Sequence, residues 1–171
     1  MSKQQPVKGD LLKQVKEHER IIFKICNSYC SNKDDRADLA QEIMYQLLKS
    51  YERYNADYKF STWIYRIALN VAISFYRKAK TGKQFISLAE GHTEVEDKPN
   101  ESAVLEKNIH VLEQFINELK ELDKALMILY LDEKGYKEIG EILGITETNV
   151  ATKINRIKET LKNKFKIINA N

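Results

Sequence analysis

The stretch that most constrains the fold of this chain spans residues 121–166, and its centre is the segment GYKEIGEILGITETNV at residues 135–150. Apolar residues recur there at helical spacing, at Ile139, Ile142 and Leu143. Gly144 follows them where a helix often ends in a left-handed residue, and Thr146 stands where an N-cap residue would begin a new helix. The sequence therefore predicts a helix, a tight turn and a second helix.

The predicted second helix has an apolar face and a polar face. Its apolar residues are Val150, Ile154, Ile157 and Leu161. At about 100° of rotation per residue, the opposite face comprises Thr148, Thr152, Asn155 and Arg156, flanked by Asn149 and Lys153. Hydroxyl, amide and guanidinium groups suit base edges and phosphates, and a helix-turn-helix places its second helix in the DNA major groove. The pattern therefore favours nucleic-acid binding.

An ordinary helical hairpin with a solvated polar face is the alternative for this stretch. Glu147 and Glu159, which would repel phosphate, favour that alternative. The small residue Gly140 at the helix crossing favours nucleic-acid binding. The basic tail does so too, because from Thr148 onward the chain has six Lys or Arg and one Glu.

Length and composition exclude several classes of protein. The chain has 171 residues, of which 43% are hydrophobic and 31% charged, enough for one large or two small domains. No window approaches the ~18 consecutive apolar residues of a membrane-spanning helix, and the polar start lacks a signal-peptide core. We therefore expect a cytoplasmic protein that does not span a membrane. Long runs without Gly or Pro predict an all-α fold.

Charge is distributed unevenly along the chain. Residues 1–85 carry 16 Lys or Arg and 9 Asp or Glu, residues 86–101 carry one and five, and residues 102–171 carry 11 of each. The basic residues of the last part gather in its final helix. Two basic regions separated by an acidic segment indicate two sites for one polyanion.

No residue pattern indicates an enzyme. The two cysteines, Cys26 and Cys30, are four apart on a predicted helix, which is unsuited to a disulfide, so reduced thiols are expected. His18 could join them in a zinc site, but Cys26 continues an apolar stripe and no fourth ligand is suitably spaced. The acids and histidines form no catalytic constellation, so no metal, cofactor or small-molecule substrate is expected.

Amphipathic helices are predicted in the first half of the chain. The first runs from Asp10 to about Cys30, with apolar residues Leu11, Leu12, Val15, Ile22, Ile25, Cys26 and Tyr29. The second buries Leu39, Ile43, Met44, Leu47, Leu48 and Tyr51, and its far face presents Asp38, Gln41, Glu42 and Tyr45. Without further information, that far face is best interpreted as a solvated surface.

An aromatic-rich loop at residues 54–60 leads into a third helix with Ser61 as its N-cap. The inward residues of this helix are Trp63, Ile64, Ile67, Ala68, Val71 and Phe75, and its polar residues include Arg66, Asn70, Arg77 and Lys78. Aromatic rings beside a basic helix suit unpaired bases and phosphates, although Trp63 lies on the apolar stripe and is assigned to the core.

Composition divides the chain into a domain at residues 1–80, a flexible acidic linker at 81–101 and a second domain at 102–171. The second domain begins with a predicted helix from Ser102 whose apolar stripe suits packing on other helices: Leu105, Ile109, Leu112, Ile116 and Leu119. A further helix at 122–131 precedes the helix-turn-helix.

Three segments together resemble the extracytoplasmic function group of sigma-70-type RNA polymerase sigma factors. DLAQE at residues 38–42 is similar to the Asp-Leu-x-Gln-Glu of region two. FSTWIYRIALNVA at residues 60–72, followed by Arg77 and Lys78, resembles the family's Phe-x-x-Trp-Leu-x-Arg-Ile-Ala-x-Asn segment. Residues 135–156 resemble region four. The resemblance covers residues 10–80 and 105–166 in the family's order.

This resemblance implies core RNA polymerase, promoter DNA and an anti-sigma factor as partners. The residues it assigns to the polymerase are Asp38, Gln41, Glu42 and Tyr45. Those it assigns to the minus-ten element are Asn55, Tyr58, Lys59, Ser61, Arg66, Asn70, Arg77 and Lys78. Those it assigns to the minus-thirty-five element are Thr148, Asn149, Thr152, Lys153, Asn155 and Arg156.

Departures from the family pattern and two other functions qualify this expectation. Ser74 stands where the family usually has Asp, Ala151 where Lys or Arg is common, and Glu147 adds a negative charge. We therefore expect low DNA affinity from the second domain alone. The alternatives are a helix-turn-helix regulator that binds duplex DNA alone, with the first domain for dimerisation, and a helical decoy or adaptor module.

Overall fold

The computed structural model describes residues 8–82 and 101–170, and every regular element in them is helical. The first half contains α1 (Lys8–Glu17), α2 (Glu19–Tyr29), α3 (Lys33–Ser50), a 3-10 turn (Tyr51–Arg53) and α4 (Phe60–Gly82). The second half contains α5 (Glu101–Glu118), α6 (Glu121–Leu131), α7 (Tyr136–Leu143) and α8 (Glu147–Asn169). The predicted all-α fold of two small helical domains is confirmed. The linker predicted at 81–101 overlaps the last two residues of α4 and the first residue of α5. Residues 83–100 lie outside the described part of the chain.

The first predicted helix is broken at His18, so the expectation of one continuous helix was wrong. His18 has φ −113° and ψ 14°, and its Nδ1 lies 2.8 Å from the carbonyl oxygen of Gln14. Its ring also packs edge-on against Phe60, with the centroids 5.5 Å apart. Because Val15 and Ile22 keep a helical separation across the break, the apolar spacing contains no sign of it.

Helix α3 begins where side-chain chemistry favours a helix start. The Oδ1 atom of Asn32 accepts a hydrogen bond from the backbone N–H of Asp35, at 2.7 Å, and so caps an otherwise unsatisfied donor. Asp34 and Asp35 lie in the first turn, where the helix dipole favours negative charge. This start fixes which residues of α3 face the core.

The first domain packs α2, α3 and α4 around one apolar core. Fully buried members include Leu11, Ile25, Leu39, Ile43, Leu47, Ile64 and Leu69. Two predicted core residues are exposed instead, because Leu12 is 54% and Leu48 41% accessible at the edges of their stripes. Helix α4 also begins one residue early, at Phe60, so Ser61 lies inside its first turn and is not the N-cap.

The helix-turn-helix has the predicted local structure. Gly144 adopts φ 71° after α7, and its N–H donates to the carbonyl oxygen of Gly140 at 2.8 Å. The Oγ1 atom of Thr146 accepts from the N–H of Asn149 at 3.1 Å at the start of α8. The apolar faces of the two helices then meet through buried Ile139, Ile142, Val150 and Ile154. The left-handed glycine and the cap thereby fix the orientation of α8.

Helix α5 is covered by other helices only toward its C-terminus. Phe115 is 4% exposed, whereas Leu105 is 61% and Ile109 47% exposed. The predicted packing of the whole stripe is therefore wrong for its first half. The spacing correctly predicted an amphipathic helix, but spacing cannot tell how far a partner helix extends alongside it.

The two domains contact each other through α6 and α7, which lie against α2 and α4. The hydroxyl of Tyr29 donates to the carbonyl oxygen of Glu121 at 2.7 Å, and Nζ of Lys124 donates to the carbonyl oxygen of Ser28 at 3.0 Å. Lys124 is 3% exposed and lies over the rings of Tyr29 and Tyr76. Burial lowers the pKa of Lys124, while the carbonyl and the two rings stabilise its charge.

We expect Gly140→Ala to destabilise the second domain. A Cβ atom at this position would lie 2.6 Å from the carbonyl oxygen of Ile145, inside van der Waals contact with rigid backbone. The helix crossing would have to widen, at a cost of about 1–3 kcal/mol in the free energy of unfolding. Urea denaturation followed by circular dichroism measures the loss.

Gly135→Ala is the matched control, because a Cβ atom at Gly135 meets nothing within 4 Å. Gly135 is the N-cap residue of α7, where Gly is preferred over Ala, so this variant should lose about 0.5–1 kcal/mol in the free energy of unfolding, less than Gly140→Ala. Equal losses in both variants would contradict a close approach of α7 to the turn before α8.

Cys26 should be protected from alkylation in the folded protein. Cys26 and Cys30 are 3% and 7% exposed, and burial, with the neighbouring Cys30, raises the pKa of Cys26 to about 11. This pKa leaves roughly 100-fold less thiolate at pH 8 than the ordinary value does. A Cys30→Ser variant removes the contribution of Cys30 to this shift and keeps the burial, so mass spectrometry should show iodoacetamide reacting roughly tenfold or more slowly than with the protein in urea. Similar rates in both conditions would contradict the burial of this thiol.

Candidate nucleic-acid and polymerase interfaces

Helix α8 presents a polar face beyond its cap. Thr148, Asn149, Thr152, Asn155 and Arg156 are exposed, and Lys153 is half-buried on the flank. The Oγ1 atom of Thr152 donates to the carbonyl oxygen of Thr148 at 3.0 Å, which leaves its oxygen as an acceptor. The face therefore offers the acceptor, donor and methyl groups that base edges recognise.

The basic tail of α8 is partly engaged within the domain. Lys158 lies 4.4 Å from the ring centroid of Tyr130, and the Tyr130 hydroxyl raises the pKa of Lys158. Nζ of Lys164 lies 2.5 Å from a carboxylate oxygen of Glu118 and over the ring of Phe115. The positive charge of this tail that faces solvent is therefore smaller than the count of basic residues indicates.

The loop before α4 rests on a cluster of aromatic rings that sequence reasoning did not identify as its support. Ring centroids of Tyr54 and Phe60 lie 5.1 Å and 5.3 Å from that of Trp63, and the Tyr51 ring lies 6.1 Å from it. The hydroxyl of Tyr54 also donates to the carbonyl oxygen of Tyr58 at 2.7 Å. These contacts give the loop a defined shape before any ligand binds.

Within this loop, local hydrogen bonds hold the exposed residues. Asn55 accepts from the N–H of Asp57 at 3.0 Å through its side chain, and from the N–H of Tyr58 at 3.1 Å through its carbonyl. The side chains of Asn55, Tyr58 and Lys59 are exposed, and that of Ser61 is half-buried. An exposed ring and amide on a fixed loop suit a base that has left its stack.

A cavity of about 140 Å³ lies between this loop and α4. Its lining residues are Arg53, Asn55, Tyr58, Thr62, Trp63, Arg66 and Glu141. Three residues predicted to bind the minus-ten element, Asn55, Tyr58 and Arg66, thus line one cavity. Arg53 and Thr62 line it too, and the sequence did not point to either of them. Arg53 belongs to the short 3-10 turn, where no helical period exists to indicate its direction.

The four predicted polymerase-binding residues lie on one exposed side of α3: Asp38, Gln41, Glu42 and Tyr45. Glu42 accepts from Nε2 of Gln46 at 3.0 Å, and Nζ of Lys49 lies 5.8 Å from the Tyr45 ring centroid. These contacts are confined to the surface of the same helix. This side of α3 therefore remains accessible and presents acidic and aromatic groups.

A groove between α3 and α4 connects this exposed side of α3 with the predicted minus-ten residues of α4. It has a volume of about 570 Å³ and is lined by Asp38, Glu42, Gln46, Asn70, Val71, Ser74, Phe75 and Lys78. Asn70, Arg66, Arg77 and Lys78 are exposed along α4. Nε of Arg77 lies 3.4 Å from a carboxylate oxygen of Glu121, so this cation already has a partner in the second domain.

No group of three or more His, Cys, Asp or Glu side chains in residues 8–82 and 101–170 is arranged to hold a metal ion. His92 lies outside the described residues. In the same two ranges, no helix is long and apolar enough to cross a membrane.

Two solved protein complexes contain a chain with a similar fold. The sigma factor RpoE in complex with the anti-sigma factor NepR, from Bartonella quintana, aligns with a TM-score of 0.69 over 92% of this chain and 98% of that one, at 16% identity. CnrH in complex with the cytosolic domain of CnrY aligns with a TM-score of 0.66 over 94% and 90%, also at 16% identity. These similarities concern the fold.

Sequence comparisons identify the family. Residues 14–81 match the family described as Sigma-70 region 2, and residues 109–161 match Sigma-70, region 4. The chain is 30% identical to the ECF RNA polymerase sigma factor SigW of Bacillus subtilis (strain 168), covering 85% of this chain and 83% of that protein. It is 27% identical to RNA polymerase sigma factor SigV of the same strain, covering 95% of both. The chain therefore belongs to the extracytoplasmic function group of the sigma-70 family of RNA polymerase sigma factors.

Proposed function

We propose that this sigma factor binds core RNA polymerase, directs it to specific promoters and assists the opening of promoter DNA. The observation that supports this most is the presence of both matched regions in one chain, at residues 14–81 and 109–161, in the family's order. In this proposal, residues 1–80 bind polymerase and the minus-ten element, residues 81–101 form the linker, and residues 102–171 bind the minus-thirty-five element. The protein acts in the cytoplasm and catalyses no reaction itself.

The proposed polymerase contact is the exposed side of α3 with Asp38, Gln41, Glu42 and Tyr45. Its carboxylates and amide suit a basic, hydrogen-bonding partner surface, and the Tyr45 ring is 55% exposed. Aromatic residues of this kind contribute disproportionately to protein interfaces. The proximity of this side to Asn70 and Lys78 across the groove supports polymerase and promoter DNA binding next to each other.

The proposed minus-ten contact uses the loop before α4 together with the exposed polar side of that helix. Tyr58 and Asn55 suit an unstacked base, while Lys59, Arg66, Arg77 and Lys78 suit its phosphates. Ser61 and Asn70 supply further hydrogen-bonding groups. Because aromatic packing fixes the loop, little order has to be gained when single-stranded DNA binds.

The proposed minus-thirty-five contact is the polar face of α8. The side chains of Asn155 and Arg156 can form two hydrogen bonds with one base. Thr148, Asn149 and Thr152 offer further hydrogen-bonding groups on the same face. Lys153 lies beside this face, where a helix in the major groove approaches the DNA phosphates. An anti-sigma factor is a further proposed partner, supported by the similar fold of RpoE, which was solved with NepR.

The double variant Gln41→Ala, Glu42→Ala should lose at least tenfold in affinity for core RNA polymerase, because it removes the centre of the proposed docking face. Fluorescence anisotropy with labelled sigma factor and core enzyme from the source organism measures this loss. The amount of run-off transcript from a pool of promoter fragments should fall as the affinity for core enzyme falls.

Glu113→Ala, Gln114→Ala is the matched control, since it removes the same two residue types from an exposed part of α5. The control should retain binding and transcripts. If the intact protein never binds core enzyme but still binds duplex DNA, the sigma-factor proposal fails and a stand-alone regulator replaces it.

Variants of α8 should separate base reading from phosphate binding. Arg156→Ala should cost about 1–3 kcal/mol and relax the preference at one base pair, because a base-edge contact is lost. Lys153→Ala should weaken all sequences alike and reduce the salt slope by about one unit. Selection of random upstream elements by the holoenzyme reports both effects. A changed base preference in Lys153→Ala alone would contradict these assignments.

A further inference from the structure

Helix α5 has an apolar stripe that the described residues leave open over its first half. Leu105 and Ile109 are 61% and 47% exposed, whereas Phe115 further along the helix is buried. Contiguous exposed apolar side chains of this kind mark interaction sites. Glu106 and Glu113 are also exposed, and their spacing of seven residues places both on one flank of this stripe. The first half of α5 is therefore an apolar surface with an acidic border.

The last turns of α8 form an open groove of the opposite charge. The groove has a volume of about 610 Å³, and each of its lining residues belongs to α8, so no second helix of the described chain forms its other wall. Leu161 and Phe165 are half-buried and form its apolar part. Lys162 and Lys166 are exposed beside them. This groove is therefore an apolar surface with a basic border.

The two surfaces match in charge and in geometry. On α5 the two glutamates follow the apolar residues by roughly 60–80° around the helix, and on α8 the two lysines follow theirs by roughly 80–120° in the same sense. When two helices face each other in antiparallel orientation, the flanks of the same rotational sense meet. An α5 helix that lies antiparallel in an α8 groove therefore brings the glutamates against the lysines, with the apolar residues beside them.

The chain already contains one contact of this chemistry between α5 and α8. Nζ of Lys164 lies 2.5 Å from a carboxylate oxygen of Glu118 and 4.9 Å from the ring centroid of Phe115. Lys164 lies on the flank of α8 opposite to Lys162 and Lys166. Because this contact holds the C-terminal half of α5 on that opposite flank, a straight α5 cannot also lie in the groove of its own chain. Another copy of the chain can supply the missing wall.

We propose that the chain forms a dimer in which the first half of α5 of each copy lies antiparallel in the α8 groove of the other. Each copy supplies both surfaces, so one contact implies its two-fold equivalent and the assembly closes as a dimer. An anionic membrane fits these surfaces less well, because it would attract Lys162 and Lys166 but repel Glu106 and Glu113. The polar face of α8 at residues 148–156 precedes the groove and is not used in the dimer.

Sedimentation velocity of the full chain over a range of concentrations tests the proposal. We expect a monomer–dimer equilibrium with a dissociation constant of about 10–100 μM, because the contact is smaller than a standard interface. Glu106→Lys, Glu113→Lys should weaken the association roughly tenfold or more. Lys162→Glu, Lys166→Glu should do the same, since each pair of substitutions places like charges together.

An equimolar mixture of these two charge-reversed variants identifies which surfaces meet. In the mixed dimer each reversed α5 faces a reversed α8, so attraction returns at both contacts. The mixture should therefore dimerise with a dissociation constant within roughly threefold of that of the unaltered chain. Glu17→Lys, Glu52→Lys is the control, because it makes the same change in net charge at exposed residues of the first domain and should leave the dimer intact.

Three results would overturn the proposal. One is a chain that stays monomeric at about 0.5 mM, well above the expected dissociation constant. Another is a mixture that does not regain the association lost in the separate variants. The third is a monomeric chain that binds vesicles of phosphatidylcholine and phosphatidylglycerol and loses that binding with Lys162→Glu, Lys166→Glu, which would assign the α8 groove to an anionic membrane surface.

Discussion

The packing of both domains on α4 is the constraint on which the rest of the structure depends. Its apolar side, with Ile64, Ala68 and Leu69, closes the core formed with α2 and α3. A second side, with Thr62 and Tyr65, receives α6 and α7 through hydrogen bonds. The third side bears the exposed amide and basic groups proposed for DNA, of which Arg77 also pairs with Glu121. One helix can serve all three because successive residues point about 100° apart.

Hydrogen bonds and ion pairs of polar side chains define how the two domains contact each other. Lys124, Asp132 and Glu138 each lie against groups of the first domain, and each loses water on docking. Such pairs repay much of the cost of leaving water but add little net stability. Interfaces of this kind within one chain favour domains that separate and reassociate. The contact between the domains is therefore easier to open than the apolar core of the first domain.

Local sequence predicted those parts of the site whose geometry is set within one or two turns. Gly144 and Thr146 fix the turn before α8 by backbone conformation and a cap, so the polar face of α8 followed directly from periodicity. Helical periodicity wrongly assigned Leu12, Leu48 and Leu105 to the core. Each of these side chains is exposed, because no other helix in the described part of the chain covers it. Periodicity also missed the break at His18, because the contact of that ring with Phe60 joins residues far apart in the chain.

The sequence by itself determined the all-α fold, the helix-turn-helix and the family. Only the tertiary structure decided which residues of the other domain lie against the polar side of a helix. The carboxylate of Glu138 accepts a hydrogen bond from Thr62, and Glu141 lines a cavity together with Arg53 and Arg66, although these partners are more than 70 residues away in the chain. Periodicity gives the direction of a side chain relative to its own helix, whereas partners across a domain contact depend on how two complete surfaces fit.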